Sequence, residues 1–166
     1  SKINSRRSEA LGLLLLFLGA FHAPCQRAQL DVRLDSGMVR VSVLGLYDEV
    51  QRGEVLNALQ EGFQAEIVFH LRFYHRQRGI LSLLGDRLVA ERNVVQASRF
   101  DPFEKRYLLH RESLRIGAFE DPEAFFDRFR ILESYLLYEF SRGQPGDLAE
   151  YYVSARVRMR PVKIVP

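Results

Sequence analysis

Basic and aromatic side chains at alternate positions are the clearest candidates for chemistry in this chain. Two such rows occur, and they comprise Arg72, Tyr74, Arg76, Arg156, Arg158 and Arg160. Alternate residues of a β-strand lie on one face of the sheet. If the two strands are neighbours, we therefore expect an arginine-rich sheet surface. Guanidinium groups bind phosphate and carboxylate in a bidentate manner, so this surface would bind an acidic ligand such as a phospholipid headgroup, a polyanionic polymer or an acidic peptide.

A solvent-exposed face whose charges pair with one another is the alternative interpretation of these rows. Glu66, Glu91 and Glu112 lie in segments that could supply the partner carboxylates. Opposite charges on adjacent strands are an ordinary way of stabilising an exposed sheet face. The sequence leaves both interpretations open.

Other kinds of site find little support in the sequence. His70 and His75 are five residues apart, so on one strand they point to opposite faces and cannot share a metal ion. The chain has no zinc-ligand spacing, no Gly-x-Ser-x-Gly segment and no glycine pattern typical of nucleotide binding. We therefore predict no catalytic residue, no metal site and no cofactor.

The distribution of charge argues against nucleic acid as a partner. The whole chain has 24 Lys and Arg against 21 Asp and Glu, a net charge of +3. Lys2, Arg6 and Arg7 against Glu9 account for two of these charges, so the rest of the chain carries only +1. Nucleic-acid-binding domains usually carry a clear basic excess, because neutralising phosphates supplies much of their affinity.

The N-terminal residues have the layout of a secretory signal. Lys2, Arg6 and Arg7 precede an unbroken apolar run over 11–21, which contains four consecutive leucines. This order predicts a signal peptide or a short N-terminal anchor over 1–25, and hence a protein exported to the periplasm or cell envelope. A bilayer-spanning or buried helix is the alternative, but His22 and Pro24 interrupt the run well before the roughly 20 residues that a bilayer requires. An uncleaved run from Leu11 to Phe21 would tether the protein to the membrane.

Cys25 bears on how the leader would be processed. Small residues near it favour cleavage after Cys25 or after Ala28, and its position next to the apolar run also allows lipidation. It is the only cysteine, so an intrachain disulfide is excluded. We expect residues 29–166 to form a single α+β domain of ordinary size.

Hydrophobic periodicity and turn residues predict the elements of this domain. Strands are predicted over 30–34, 38–43, 64–76, 88–100, 105–116 and 151–159, and helices over 48–62 and 121–140. The order ββαβββαβ predicts an α+β fold in which two helices pack on a mostly antiparallel sheet of about six strands.

Several of these segments together resemble a known family. They are the helix end Ala58-Leu59-Gln60-Glu61-Gly62-Phe63, the strand over 66–74 and the later strand with Tyr107, preceded by the leader and a strand hairpin. This arrangement resembles the exported bacterial proteins grouped as domain of unknown function 4390, and the resemblance covers nearly all of the chain after the leader. It implies an envelope location and a fold, and it carries over no catalytic residue.

Three functional classes follow from the sequence. A non-enzymatic envelope module that binds an acidic ligand or an envelope protein agrees best with the leader, the arginine rows and the lack of a catalytic motif. An enzyme with a dispersed active site is the first alternative. A membrane-associated strand protein is the second. The oligomeric state is left open.

Overall fold

The computed structural model describes residues 28–141 and 148–164, with only the backbone at 148 and 160–164. The predicted leader over 1–25, including Cys25, lies outside these residues. The described chain forms β1 Ala28–Asp35, β2 Met38–Gly45, α1 Glu49–Gln60, β3 Phe63–His75, β4 Arg87–Asp101, β5 Arg106–Arg111, β6 Leu114–Phe119, α2 Pro122–Phe129, β7 Ile131–Glu139 and β8 Tyr151–Ile164. Short 3₁₀ turns cover Gly79–Leu84 and Leu148–Glu150. The predicted mixture of helices with mostly antiparallel strands is confirmed.

The first sheet has three antiparallel strands in the order β1-β2-β7. Ser36 and Gly37 turn the β1–β2 hairpin with φ angles of 50° and 81°, as a two-residue type I′ turn requires. Val39, Val41 and Val43 of β2 are at most 4% exposed. The predicted hairpin and its buried valine row are thus confirmed.

Helix α1 follows the predicted start and stop signals. The Asp48 carboxylate accepts a 2.8 Å hydrogen bond from the Gln51 amide, and the Gln51 side chain accepts one from the Asp48 amide at 3.2 Å. This reciprocal pair satisfies two amides at the helix N-terminus. Gly62 has a φ of 91° just beyond the helix, where a residue with a side chain would be strained. Val55 and Leu59 form the buried side of the helix.

The second sheet has five antiparallel strands in the order β6-β5-β4-β3-β8. Ile67, Phe69, Leu71 and Phe73 of β3 are buried as predicted, and residues between them, including exposed Arg72, face the other side. One face of this sheet therefore contributes to the core, which also contains buried residues of the first sheet and both helices. On the opposite face of β3, Arg72 is exposed, whereas Val68 is only 1% exposed.

The predicted helix over 121–140 is wrong in its second half. Asp121 caps α2 as predicted and accepts hydrogen bonds from Glu123 and Ala124, but the helix ends at Phe129. Residues 131–139 instead form β7, which pairs with β2. Two irregularities in this pairing place the buried residues Leu132 and Leu137 five positions apart. Bulges interrupt strict alternation, so this strand lacks the period-two pattern by which the other strands were predicted.

The predicted strand over 105–116 is two strands. Arg111 pairs with Leu114, so β5 and β6 are joined by a two-residue turn at Glu112 and Ser113. Glu112 takes a φ of 55°, a conformation that sequence reasoning assigns to Gly or Asn. Counted over the described residues, the chain therefore has eight strands in two sheets rather than six in one, and the order is ββαββββαββ.

The helices of the described residues are short. Neither α1, with 12 residues, nor α2, with 8, is long and apolar enough to cross a membrane, and this holds for every helix in the described part of the chain.

Candidate functional site

The two arginine rows lie on adjacent strands. β3 pairs with β8, and the register places His70 opposite Arg156, Arg72 opposite Ser154, and Val68 opposite Arg158. The condition for a shared arginine surface is therefore met. A shallow cleft of about 210 Å³ opens on this face, and its lining residues are His70, Arg72, Ser154, Arg156 and Arg158. We call these five residues the arginine face.

The three guanidinium groups of the arginine face are in different electrostatic states. Arg72 Nε lies 2.7 Å from Glu91 Oε1, one of the pairings expected for a solvated face. This hydrogen bond, followed by one to the Tyr74 hydroxyl, raises the pKa of Arg72. Arg156 and Arg158 are exposed, and neither forms an ion pair with a carboxylate of the described side chains. Two cations beside the cleft thus remain available to a ligand.

His70 adds a polar group to the arginine face. Its Nδ1 lies 2.7 Å from the Asn93 side-chain oxygen on β4. The amide oxygen accepts a hydrogen bond from Nδ1 when that nitrogen carries the proton. The contact orients the ring on the same face of the sheet as Arg72 and Arg156.

Tyr74 and Arg76 lie nearer the β3–β4 connection, beside the arginine face. The rings of Tyr74 and Tyr152 are stacked with centroids 5.0 Å apart, and Arg76 Cζ lies 5.4 Å from the centre of the Tyr152 ring. The Tyr152 hydroxyl donates a 2.9 Å hydrogen bond to Asp86, and this bond raises the pKa of Tyr152. Of the six predicted residues, Arg72, Arg156 and Arg158 therefore belong to the arginine face, and Tyr74 and Arg76 pack around Tyr152.

Arg160 lies at the other end of the arginine row. Its backbone pairs with Glu66, and its side chain falls outside the described part of the molecule. The sequence prediction omitted His70 and Ser154 from the ligand site. Alternation along β3 and β8 places both on the same face as the arginines, so this pattern could have identified them from the sequence.

The arginine face combines guanidinium donors with a hydroxyl and an imidazole, and none of its described side chains is a carboxylate. In residues 28–141 and 148–159, no three His, Cys, Asp or Glu side chains come together as metal ligands. The chemistry offered here is charge-assisted hydrogen bonding to an anion.

A second concavity lies between the two sheets. It has a volume of about 260 Å³, and its apolar lining includes Val32, Leu34, Phe73, Tyr151 and Val153. Beside it, the two carboxylate oxygens of Glu150 lie 3.2 Å from His75 Nε2 and 3.2 Å from Arg78 Nε. The Arg78–Glu150 ion pair and the His75–Glu150 contact link the end of β3 to the turn that precedes β8.

Comparisons of the chain with models of protein families, with curated proteins and with solved structures found no match. The resemblance to domain of unknown function 4390 accordingly stays a prediction.

Proposed function

We propose that this protein is an exported, non-enzymatic binding module of the cell envelope whose arginine face binds an acidic segment of a partner protein. One observation carries the proposal: the exposed guanidinium groups of Arg156 and Arg158 flank a cleft and have no carboxylate partner among the described side chains. A guanidinium group gains more from a bidentate carboxylate than from water alone, particularly beside other donors.

The spacing of the arginines supports an extended acidic peptide as the ligand. Arg156 and Arg158 are two positions apart along β8, which corresponds to about 6.6 Å. Carboxylates at alternate positions of an extended peptide repeat at nearly the same distance, so two of them can meet the two arginines at once. Arg72, although paired with Glu91, borders the same cleft and adds positive potential.

The export part of the proposal depends on the basic and apolar pattern of residues 2–21. The envelope location implied by the family resemblance agrees with it. Fractionation of cells that express the chain with its native leader tests this part: release by osmotic shock is expected, and recovery only with cytoplasmic proteins would contradict it.

Binding is tested by fluorescence anisotropy of a labelled oligoglutamate peptide. The native protein should bind it at low salt, and Arg156→Gln/Arg158→Gln should weaken binding by about tenfold or more, since hydrogen bonds to charged groups contribute about 1.5–3 kcal/mol each. Arg33→Gln/Arg115→Gln removes the same charge from exposed positions on β1 and β6 and is the matched control.

The outcomes separate specific recognition from charge alone. An equal loss of affinity in the two double variants would mean that only net charge is sensed and would overturn the proposal. Binding of short-chain polyphosphate, but not of oligoglutamate, would replace the acidic peptide by a phosphate ligand. Circular dichroism of both variants verifies that the sheet is intact.

A further inference from the structure

The connection between β3 and β4 exposes an unusual amount of apolar surface. Residues Gly79–Leu84 form a 3₁₀ turn in which no residue is buried. Ile80, Leu83 and Leu84 are 86%, 86% and 83% exposed, and Leu81 is 57% exposed. Scattered exposed leucines are ordinary, but four adjacent aliphatic side chains at the end of a hairpin form a contiguous patch that marks an interaction site. We call Gly79–Leu84 the hairpin tip.

The hairpin tip is held in a defined shape by its own hydrogen bonds. The Ser82 hydroxyl donates to the Gly79 carbonyl at 2.7 Å, and the Gly85 amide donates to the Ser82 carbonyl at 3.2 Å. Gly79 and Gly85 bracket the turn with φ angles of 64° and 83°. The only polar side chain of the tip is thus satisfied internally, which lowers the cost of moving the tip out of water.

The side chains around the hairpin tip are of the types that favour a bilayer surface. Arg76, Arg78 and Arg87 flank the turn and are exposed. The nearby carboxylates are already engaged, Asp86 by the Tyr152 hydroxyl and Glu150 by His75 and Arg78. Behind the arginines lies the stacked Tyr74 and Tyr152 pair. On a bilayer surface the aliphatic tip would meet the acyl chains, and the arginines and tyrosines would lie at the level of the headgroups, where both residue types are favoured.

We propose that the hairpin tip inserts into the acyl region of an anionic lipid bilayer while Arg76 and Arg87 contact the headgroup phosphates. The tip is convex, with Ile80 and Leu83 on one side of the 3₁₀ turn and Leu81 and Leu84 on the adjacent side. A protruding apolar turn surrounded by cations complements a flat anionic membrane in shape and charge. This inference is independent of the arginine face, which lies farther along β3 and β8.

A single tryptophan tests insertion directly, because the native chain has none. Leu83→Trp places the reporter in the tip, and Phe103→Trp places it at the opposite end of β4, where the native side chain is 95% exposed. Both variants retain the native leader, so any binding through residues 11–21 is common to them. With phosphatidylglycerol-containing vesicles whose acyl chains carry bromine, emission from the Leu83→Trp protein should shift to shorter wavelength and be quenched. Emission from the Phe103→Trp protein should not change.

The contributions of apolar and charged groups are then separated. In the Leu83→Trp protein, Ile80→Ser/Leu84→Ser should raise the lipid concentration needed for half-maximal quenching by at least about tenfold. Arg76→Gln/Arg87→Gln should raise it by about fivefold per charge removed and abolish the preference for phosphatidylglycerol over phosphatidylcholine. Equal quenching of the two reporters, or none in the tip, would overturn the proposal. A blue shift that grows with protein concentration without vesicles would instead assign the tip to contacts between copies.

Discussion

The side-chain nitrogen of Gln96 donates a 2.8 Å hydrogen bond to the backbone carbonyl of Phe129, and so links the second sheet to the end of α2. The same nitrogen lies 3.2 Å from the Ile131 carbonyl at the start of β7. The Gln96 oxygen accepts two bonds from Arg111, at 3.0 and 2.9 Å, and burial lowers the pKa of that guanidinium. Gln96 itself is fully buried. One amide therefore satisfies polar groups from three elements where the chain changes from helix to strand.

Replacement of Gln96 should destabilise the fold strongly. Gln96→Leu removes a donor from two buried carbonyls and an acceptor from Arg111, so we expect the free energy of unfolding to fall by about 2–4 kcal/mol. Urea denaturation followed by circular dichroism measures this difference. Gln29→Leu, at an exposed position of β1, is the control and should change stability little. Similar stability of the two variants would contradict the role of the amide.

Phe125 is expected to dominate the aromatic part of the core. Its ring is stacked between Tyr107 and Phe129, with centroid distances of 4.7 and 5.5 Å, and it is fully buried. Phe125→Ala should lower the free energy of unfolding by about 3–5 kcal/mol through lost burial and an unfilled cavity. Phe103→Ala makes the same chemical change at a residue that is 95% exposed, and should alter stability by less than about 0.5 kcal/mol. Equal losses of stability in the two variants would contradict the expected contribution of the buried Phe125 ring.

Tyr47 should make the protein sensitive to alkali. Its ring packs against Phe126, and its hydroxyl is buried without a hydrogen-bond partner among the described residues. Burial raises the pKa of Tyr47 above its ordinary value of 10. On raising the pH, the unfolded chain therefore loses this proton before the folded chain does. The contribution of Tyr47 to the free energy of unfolding is complete below about pH 10 and declines as the pH rises further.

The matching experiment compares the native protein with Tyr47→Phe. Between about pH 9 and about pH 11, the native protein should lose about 1 kcal/mol more unfolding free energy than the variant, because the variant lacks the titrating group. Other titrations are common to both proteins and cancel in the difference. Parallel pH profiles would mean that the hydroxyl reaches solvent.

Local signals in the sequence predicted the local parts of the fold. The turn at Ser36 and Gly37, the cap at Asp48 and the alternation of β3 each depend on a few neighbouring residues, and all three are confirmed. The β5–β6 turn was missed because Glu112, which has a positive φ, is not a residue type typical of that turn position. Residues 131–139 were missed because bulges interrupt the alternation that marks a strand.

The candidate site was predictable in composition but not in assembly. Alternation alone indicated which arginines share a face of their own strand. The pairing of His70 with Arg156 joins residues 86 positions apart, and no local pattern encodes that register. The apolar character of Ile80 to Leu84 was visible in the sequence, whereas its exposure depends on how far the β3–β4 hairpin extends beyond the core.

The position of β8 at the end of the second sheet has a consequence for solubility. An edge strand offers unpaired backbone groups to any other extended chain, and this is a common route to aggregation. Arg156 and Arg158 stand along that edge, so two copies that approach through β8 bring like charges together. We therefore expect the two arginines to oppose self-association at this edge. Neutralising them would be expected to make the protein more prone to form fibrils at high concentration.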